Sequence, residues 1–361
     1  MKPRFIGRSA FKGRGALTNP AGRFESADFE AVDDGWYVED QPSSIATTLE
    51  PDRAKGVIST NDSPDVGFDQ SINPYRGCEH GCIYCYARPS HAYVGLSAGL
   101  DFETRLFYKQ DAAQVLQKEL SRPRYVCRPL MLGANTDPYQ PVERQMQVTR
   151  SILDVLARAR HPVSIITKSA LVIRDLDLLR NMAADRLVSV TLSITSLDAE
   201  IKRTLEPRTA SPHARLRAVA QLAAAGIPVG VNVAPVIPAL TDHELERILE
   251  AAAQAGARWA GYVLLRLPYE VKDLFRDWLE EHHPQRAAHV MSVLRDQRGG
   301  RDNDPSFGTR MKGSGPFAEL LKTRFQVATR RFGLRSSRSF PLNSEAFSPP
   351  RTAGPQMDLG L

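Results

Sequence analysis

Five apolar runs recur through the middle of the chain, each giving way to an amphipathic stretch. They are "YVCRPLMLGA" (125–134), "PVSIITK" (162–168), "RLVSVTLSI" (186–194), "IPVGVNVAPVI" (227–237) and "RWAGYVLLRL" (258–267). Val, Ile and Leu fill consecutive rather than alternate positions, which marks strands buried on both faces. Between the runs lie 141–160, 175–186, 211–226 and 241–256, whose apolar residues repeat near every 3.6 positions, the period of a helix. Ser211 ahead of Pro212, and Thr241 or Asp242, read as helix starts; Gly226 and Gly256 read as stops. Strand, helix and short link in repetition predict parallel βα units. With "DVGFDQSINPY" (65–75) as a first strand there are about six units. That is too few for an eight-fold barrel, so the expected α/β architecture is a partial (β/α)6 barrel of parallel strands. Chemistry in such folds gathers at the carboxyl ends of the strands.

Outside this pattern the chain changes character. Residues 1–55 are rich in Gly, Pro, Ser and charge, and read as a largely irregular basic segment ahead of a core domain over 56–294. Residues 295–361 read as a basic extension that caps the barrel. Within its helical part, Phe317, Leu320, Leu321 and Phe325 are the expected packed face.

Composition narrows the functional classes. At 42% hydrophobic and 24% charged residues, the 361-residue chain can bury a sizeable core. No run approaches the roughly 18 apolar residues of a membrane span, and the basic start lacks the apolar stretch of a secretory signal. Four cysteines make no disulfide framework, so a reducing cytoplasm is the expected compartment. The net charge of +6 is uneven: residues 1–25 carry six basic and one acidic side chain, and 295–361 carry twelve basic and six acidic, leaving −5 between them. Basic ends on an acidic body suit an anionic partner such as nucleic acid, though they equally serve solubility.

The sharpest signal is "NPYRGCEHGCIYCYARP" (73–89), where Cys78, Cys82 and Cys85 fall within eight residues, just after the first strand. Three cysteines cannot pair among themselves, so a shared ligand is the natural reading. Three thiolates on a Gly-containing loop suit a four-iron cubane with one iron left open to a small molecule. Spacing alone keeps zinc in play, with His80 or His91 as fourth ligand, although a second paired hook is absent. His80 and His91 are expected to be solvent-exposed loop residues, and Cys127 a small apolar filler.

C-x3-C-x2-C with Tyr84 before its last Cys, ahead of successive βα units, resembles the radical S-adenosylmethionine (SAM) superfamily. "GCEHGCIYCYARP", "GANTDPYQPVE", "TKSALVIRDLDLL", "SITSLDAEIKRTLEP" and "APVIPALTDHE" are similar to its spore photoproduct lyase-like branch, above all to members with the NTDPYQP signature. The likeness spans about residues 60–340 and makes the barrel a radical SAM core. It implies that Cys78, Cys82 and Cys85 ligate a [4Fe–4S] cluster whose open iron is chelated by SAM. It further implies Tyr84 against the adenine, Thr136 near the SAM amino group, Lys168 on its carboxylate, and Ser193 at its methionine or ribose.

The implied reaction is reductive cleavage of SAM to a 5′-deoxyadenosyl radical that takes hydrogen from a substrate. Electrons would come from an external donor of flavodoxin or ferredoxin type. Kinship and the basic ends point to a nucleic acid or nucleotide-like substrate. Lys168 at the inward end of an apolar strand independently calls for an anion to meet it. The lyase itself returns hydrogen from a cysteine on the second strand, where this chain has Ala134 and Asn135. Cys127, about 20 Å away along an extended strand, does not replace it. Tyr86 is the remaining candidate for hydrogen transfer. The rival readings are a zinc-stabilised basic nucleic-acid-binding protein without catalysis, and an iron–sulfur electron carrier.

Overall fold

The structure is a computed structural model and describes residues 11–24, 44–336 and 340–350. The basic residues 1–10 and Arg351 lie outside that range.

Six parallel strands run in chain order across one sheet: β1 (Gln70–Ile72), β2 (Leu130–Leu132), β3 (Val163–Thr167), β4 (Val188–Ser193), β5 (Val229–Val236) and β6 (Trp259–Leu264). Their register aligns Leu132 with Ile165, Ile165 with Val190 and Val190 with Val229, and all four side chains are buried. Helices α1 (Ala112–Leu120), α2 (Val148–Arg158), α3 (Leu176–Ala184), α4 (Pro212–Ala224) and α5 (Leu245–Gln254) connect successive strands. The sheet is open: Ile58–Thr60 adds an antiparallel strand beside β1, and Arg335–Ser336 a parallel one beside β6. The architecture is thus the expected mixed α/β fold around six parallel strands, without closure into a barrel.

Several local expectations need correction. The second strand is three residues long, not ten. Pro129, which has no N–H to donate, stands just before it, and Gly133, at φ +91°, follows it. The 141–160 helix breaks at Gln147 (φ +52°) into Glu143–Met146 and α2. Ser211 caps α4 through Ala214 N–H (3.2 Å), but the Thr241 hydroxyl accepts from Ile237 N–H (3.0 Å) instead of capping a helix. A helix over Ala199–Leu205, started by Asp198, was not legible from apolar periodicity.

The chain ends depart further. In the N-terminal segment, Thr48–Pro51 pairs with Arg105–Tyr108 in a separate small sheet. After β6 come Val271–His282 and Pro284–Asp296, and then α6 (Gly315–Arg331). Helix α6 packs beside α5, where Arg324 pairs with Glu246 (2.7 Å), and against β6, where Phe325 meets Tyr262 (4.8 Å between rings). It therefore extends the outer helical layer. Leu321 and Phe325 are buried as expected, whereas Leu320, about 100° round the helix from Leu321, is exposed. What crosses to the first strand is the 298–314 loop. Leu264 N–H donates to Met311 O (2.9 Å), and Gly308 N–H donates to Asp65 Oδ1 (2.7 Å).

The described N-terminal residues lie directly on the cysteine loop. A Cβ on Gly15 would stand 1.9 Å from the Gly81 carbonyl oxygen. Gly15→Ala should therefore lift the segment and cost about 1–3 kcal/mol in urea denaturation. Gly67→Ala, where a Cβ meets nothing within 4 Å, serves as the control. Equal stability of the two variants would contradict the packing described here.

Candidate active site at the cysteine loop

Residues 77–85 form no helix or strand, yet Cys78, Glu79, His80, Cys82, Ile83 and Tyr84 are all buried. Neighbouring elements satisfy the loop's backbone. Cys78 N–H donates to Phe102 O (2.9 Å), Ile83 N–H to Leu205 O (3.2 Å), and His80 O accepts from Arg208 N–H (3.2 Å). Gly81, at φ +68°, makes the turn between the first two cysteines.

Two buried ion pairs flank the loop. On one side Glu103, fully buried, accepts Gly15 and Ala16 N–H (2.9 Å each) and pairs with Arg88. Arg88 in turn donates to the carbonyls of Cys82 (2.9 Å), Ala98 and Gly99. On the other side Glu206 pairs with Arg215, accepts Thr195 Oγ1–H (2.6 Å) and accepts the Tyr84 hydroxyl. None of these four charged residues was singled out in the sequence. The partners of each pair lie 15 and 9 residues apart, with no motif to join them.

The three thiols are free, and burial is the main cause of the raised pKa at Cys78, Cys82 and Cys85, with neighbouring thiols adding to the rise at Cys78 and Cys82. Ligation would thus release protons, as thiolate binding to metal requires. Among the described residues no three His, Cys, Asp or Glu side chains converge tightly enough for one metal ion. A four-iron cubane takes each thiolate on a different iron, and three free thiols on one loop are the donor chemistry it calls for. His80 and His91 are buried rather than exposed. The loop folds inward, setting His80 Nδ1 3.3 Å from Asp137 Oδ2 and His91 Nε2 2.9 Å from Arg105 O. Cys127 lies just ahead of β2, at the amino end of the strands, and burial pushes its thiol up to about 11.

Lys168 follows β3 and reaches the loop. Its Nζ donates to Ala234 O (3.0 Å), stands 3.9 Å from Glu206 Oε1 and lies 5.7 Å from the Tyr84 ring centre. The anion expected opposite it is therefore present in the protein as Glu206. Thr136 is buried four residues past β2, its hydroxyl donating to Tyr75 O (2.7 Å). Ser193 ends β4, buried, with its carbonyl accepting from Arg215 (2.8 Å). Tyr86 is half-exposed, its hydroxyl bonded to Ala134 O and Arg266 above its ring at 5.8 Å.

Comparison with known proteins gives this geometry its family. The model of the radical SAM superfamily matches residues 72–252. An uncharacterised protein of Mycobacterium tuberculosis is 39% identical over 230 residues, covering 63% of this chain and 68% of the relative. This chain belongs to the radical SAM superfamily. An uncharacterised protein of Methanocaldococcus jannaschii is 29% identical over 237 residues, covering 64% of this chain and 83% of its own length. Among solved structures, a spore photoproduct lyase mutant with AdoMet and dinucleoside spore photoproduct bound shares the fold. Its TM-score is 0.57 at 18% identity, covering 80% of this chain and 81% of that one. Radical SAM membership implies a [4Fe–4S] cluster, SAM and an external reductant, and makes the protein an enzyme of that type. Among the described residues no helix is long and apolar enough to cross a membrane.

The ionic network makes a pH prediction. Burial opposes ionisation of Glu206, but Arg215, Lys168, Thr195 and Tyr84 outweigh it and hold its pKa at about 2, below the ordinary 4.5. Its contribution is therefore present above pH 4.5 and lost as pH falls from there towards about 2. At neutral pH it amounts to about 3 kcal/mol. Glu206→Gln should be less stable than the parent by about that much at pH 7 in urea, with the gap shrinking at pH 3. A gap independent of pH would exclude the carboxylate as its source.

Proposed function

We propose that Cys78, Cys82 and Cys85 ligate the [4Fe–4S] cluster and that SAM binds between them and Lys168. The supporting observation is that three free thiols lie on one loop, Cys78 and Cys82 buried and Cys85 half-buried, with a lysine ammonium reaching that loop from the next strands. Once bound, the cluster and SAM supply a 5′-deoxyadenosyl radical able to take hydrogen from a substrate. Lys168 is the cation for the SAM carboxylate. Tyr84, fixed by Glu206 and Thr195, offers its ring to the adenine. Thr136 retains acceptor lone pairs for the SAM amino group, and Ser193 stands at the end of β4 towards the methionine or ribose.

Tyr86 takes the hydrogen-transfer role. Its hydroxyl reaches the backbone of Ala134, where the related lyase has its cysteine, so the product-forming step differs from that of the lyase.

The substrate proposed is nucleic acid or a nucleotide-like molecule. Beyond the basic chain ends, arginine-paired aromatics gather around the carboxyl end of β6. Arg23 stands 4.0 Å above exposed Tyr269 with exposed Tyr93 and Phe24 beside it, and Arg310 stands 4.5 Å above exposed Phe307. Planar bases stack on such exposed rings, while Arg23 and Arg310 are each held by a carboxylate, Glu270 (2.8 Å) and Asp65 (2.5 Å). The dinucleoside spore photoproduct bound in the solved lyase structure is of the same chemical class.

Anaerobic reconstitution tests the metal and SAM assignments. The parent should hold about four irons and yield 5′-deoxyadenosine with dithionite. Cys82→Ala should lose the cluster and all SAM cleavage; a full four-iron cluster in that variant would overturn the ligand assignment. Lys168→Ala should keep its iron and bind SAM roughly 10-fold or more weakly, the loss of a charge-assisted contact. Unchanged affinity would remove Lys168 from the site. For the substrate, Tyr269→Ala should weaken binding of a single-stranded oligonucleotide roughly 10-fold in fluorescence anisotropy. No binding by the parent at low salt would end the nucleic-acid reading.

A further inference from the structure

The NTDPYQP signature contains no cysteine, and only Thr136 within it has been given a part in SAM binding. Its side chains nevertheless reach outward to both halves of the site. Asp137 follows the end of β2 and is nearly buried. Its Oδ1 accepts Thr167 Oγ1–H (2.6 Å) and Tyr139 N–H (2.9 Å), and its Oδ2 accepts Lys168 N–H (2.7 Å). The same Oδ2 lies 3.3 Å from His80 Nδ1, between the first two cysteines of the loop. One carboxylate therefore touches both the backbone of Lys168 and the cysteine loop.

Gln140 completes the grip. It is fully buried; its Oε1 accepts Glu79 N–H (2.7 Å) and its Nε2 donates to Gly77 O (3.3 Å), so it straddles Cys78. Asn135 N–H donates to Asn73 Oδ1 (2.8 Å), ahead of the loop. Tyr139, also fully buried, roots the turn in the core through Asp175 Oδ2 (3.0 Å). A turn needed only to reverse the chain would satisfy its polar groups locally. Here seven contacts that involve a side chain run to residues 73–80 and 167–168, and only one closes within the turn.

We infer that the Asn135–Gln140 turn is a positioning device that sets the spacing between the cysteine loop and Lys168, with Asp137 acting through Lys168 and Gln140 through Cys78. A ligand that joins a cluster at one end and an ammonium at the other is bound well only if that spacing is held. The inference rests on the proposed roles of the three cysteines and Lys168.

The experiment uses the full chain, reconstituted without oxygen. Four irons in the parent, and a change of its reduced-cluster EPR spectrum on adding SAM, test the underlying roles first. Failure there is failure of the proposed site, not of the turn. Given that, Asp137→Ala should keep its iron and bind SAM roughly 10-fold more weakly in equilibrium dialysis. In a Lys168→Ala background the same change should cost less than about 2-fold, because both act on one contact. Gln140→Leu, which leaves Glu79 N–H and Gly77 O without their partner, should lose iron to a chelator roughly 10-fold faster than the parent. Parental SAM affinity in Asp137→Ala, or fully multiplicative losses in the double variant, would overturn the inference. If Asp137→Ala does not fold, Asp137→Asn carries the same cycle. It keeps one acceptor oxygen, and absence of coupling to Lys168 would be equally decisive.

Discussion

An irregular loop can be buried only if its peptide groups find partners outside it, because none come from a helix or ladder. That constraint governs the centre of this protein. Residues 77–85 carry Cys78 and Cys82 into the interior and leave Cys85 half-buried, and the surrounding structure supplies what their backbone lacks. Gln140 takes the peptides on either side of Cys78, Arg88 takes the Cys82 carbonyl, and Phe102 and Leu205 accept the N–H groups of Cys78 and Ile83. The two ion pairs, Arg88–Glu103 and Arg215–Glu206, are the firmest of these holds. Each is buried, and removal of either partner would leave an uncompensated charge in the core. Glu103 also recruits residues 14–16, so the N-terminal segment forms part of the wall around the cysteines.

The parallel sheet explains why these holds meet in one place. Every strand of a βα series presents its carboxyl end on the same side, so the cysteine loop after β1, the NTDPYQP turn after β2, Lys168 after β3 and Thr195 after β4 become neighbours. Residues scattered over more than a hundred positions of sequence are thereby set within hydrogen-bond reach, as Tyr84 and Glu206 show.

Much of this frame was legible in the sequence, because runs of Val, Ile and Leu state plainly that a strand is buried on both faces. The cysteine spacing was equally plain. What escaped reading shares one physical cause. The orientation of His80 and His91, the exposure of Leu320, and the roles of Glu103, Glu206, Arg215 and Gln140 depend on partners distant in the chain. Local pattern carries no record of those partners. Apolar periodicity also missed the helix Ala199–Leu205, which buries only Ile201 and Leu205 and opens on an Asp198 cap. Conversely, the ten-residue run at 125–134 overstated its strand, since an apolar run does not reveal that Tyr125 turns away to bond His161.

Lys168 shows how the two kinds of information combine. Sequence position alone argued that an ammonium at the inner end of an apolar strand needs an anion, and Glu206 answers that need at 3.9 Å. Yet Glu206 is already engaged by Arg215, so Lys168, Glu206 and Arg215 together carry one unit of positive charge within the interior. A single carboxylate arriving at Lys168 would neutralise the group without displacing Glu206, whose hydrogen bonds to Tyr84 and Thr195 are independent of Lys168. The network thus carries one positive charge that its own carboxylate does not meet, the charge proposed to receive the carboxylate of SAM, and it does so beside the ring proposed to receive the adenine.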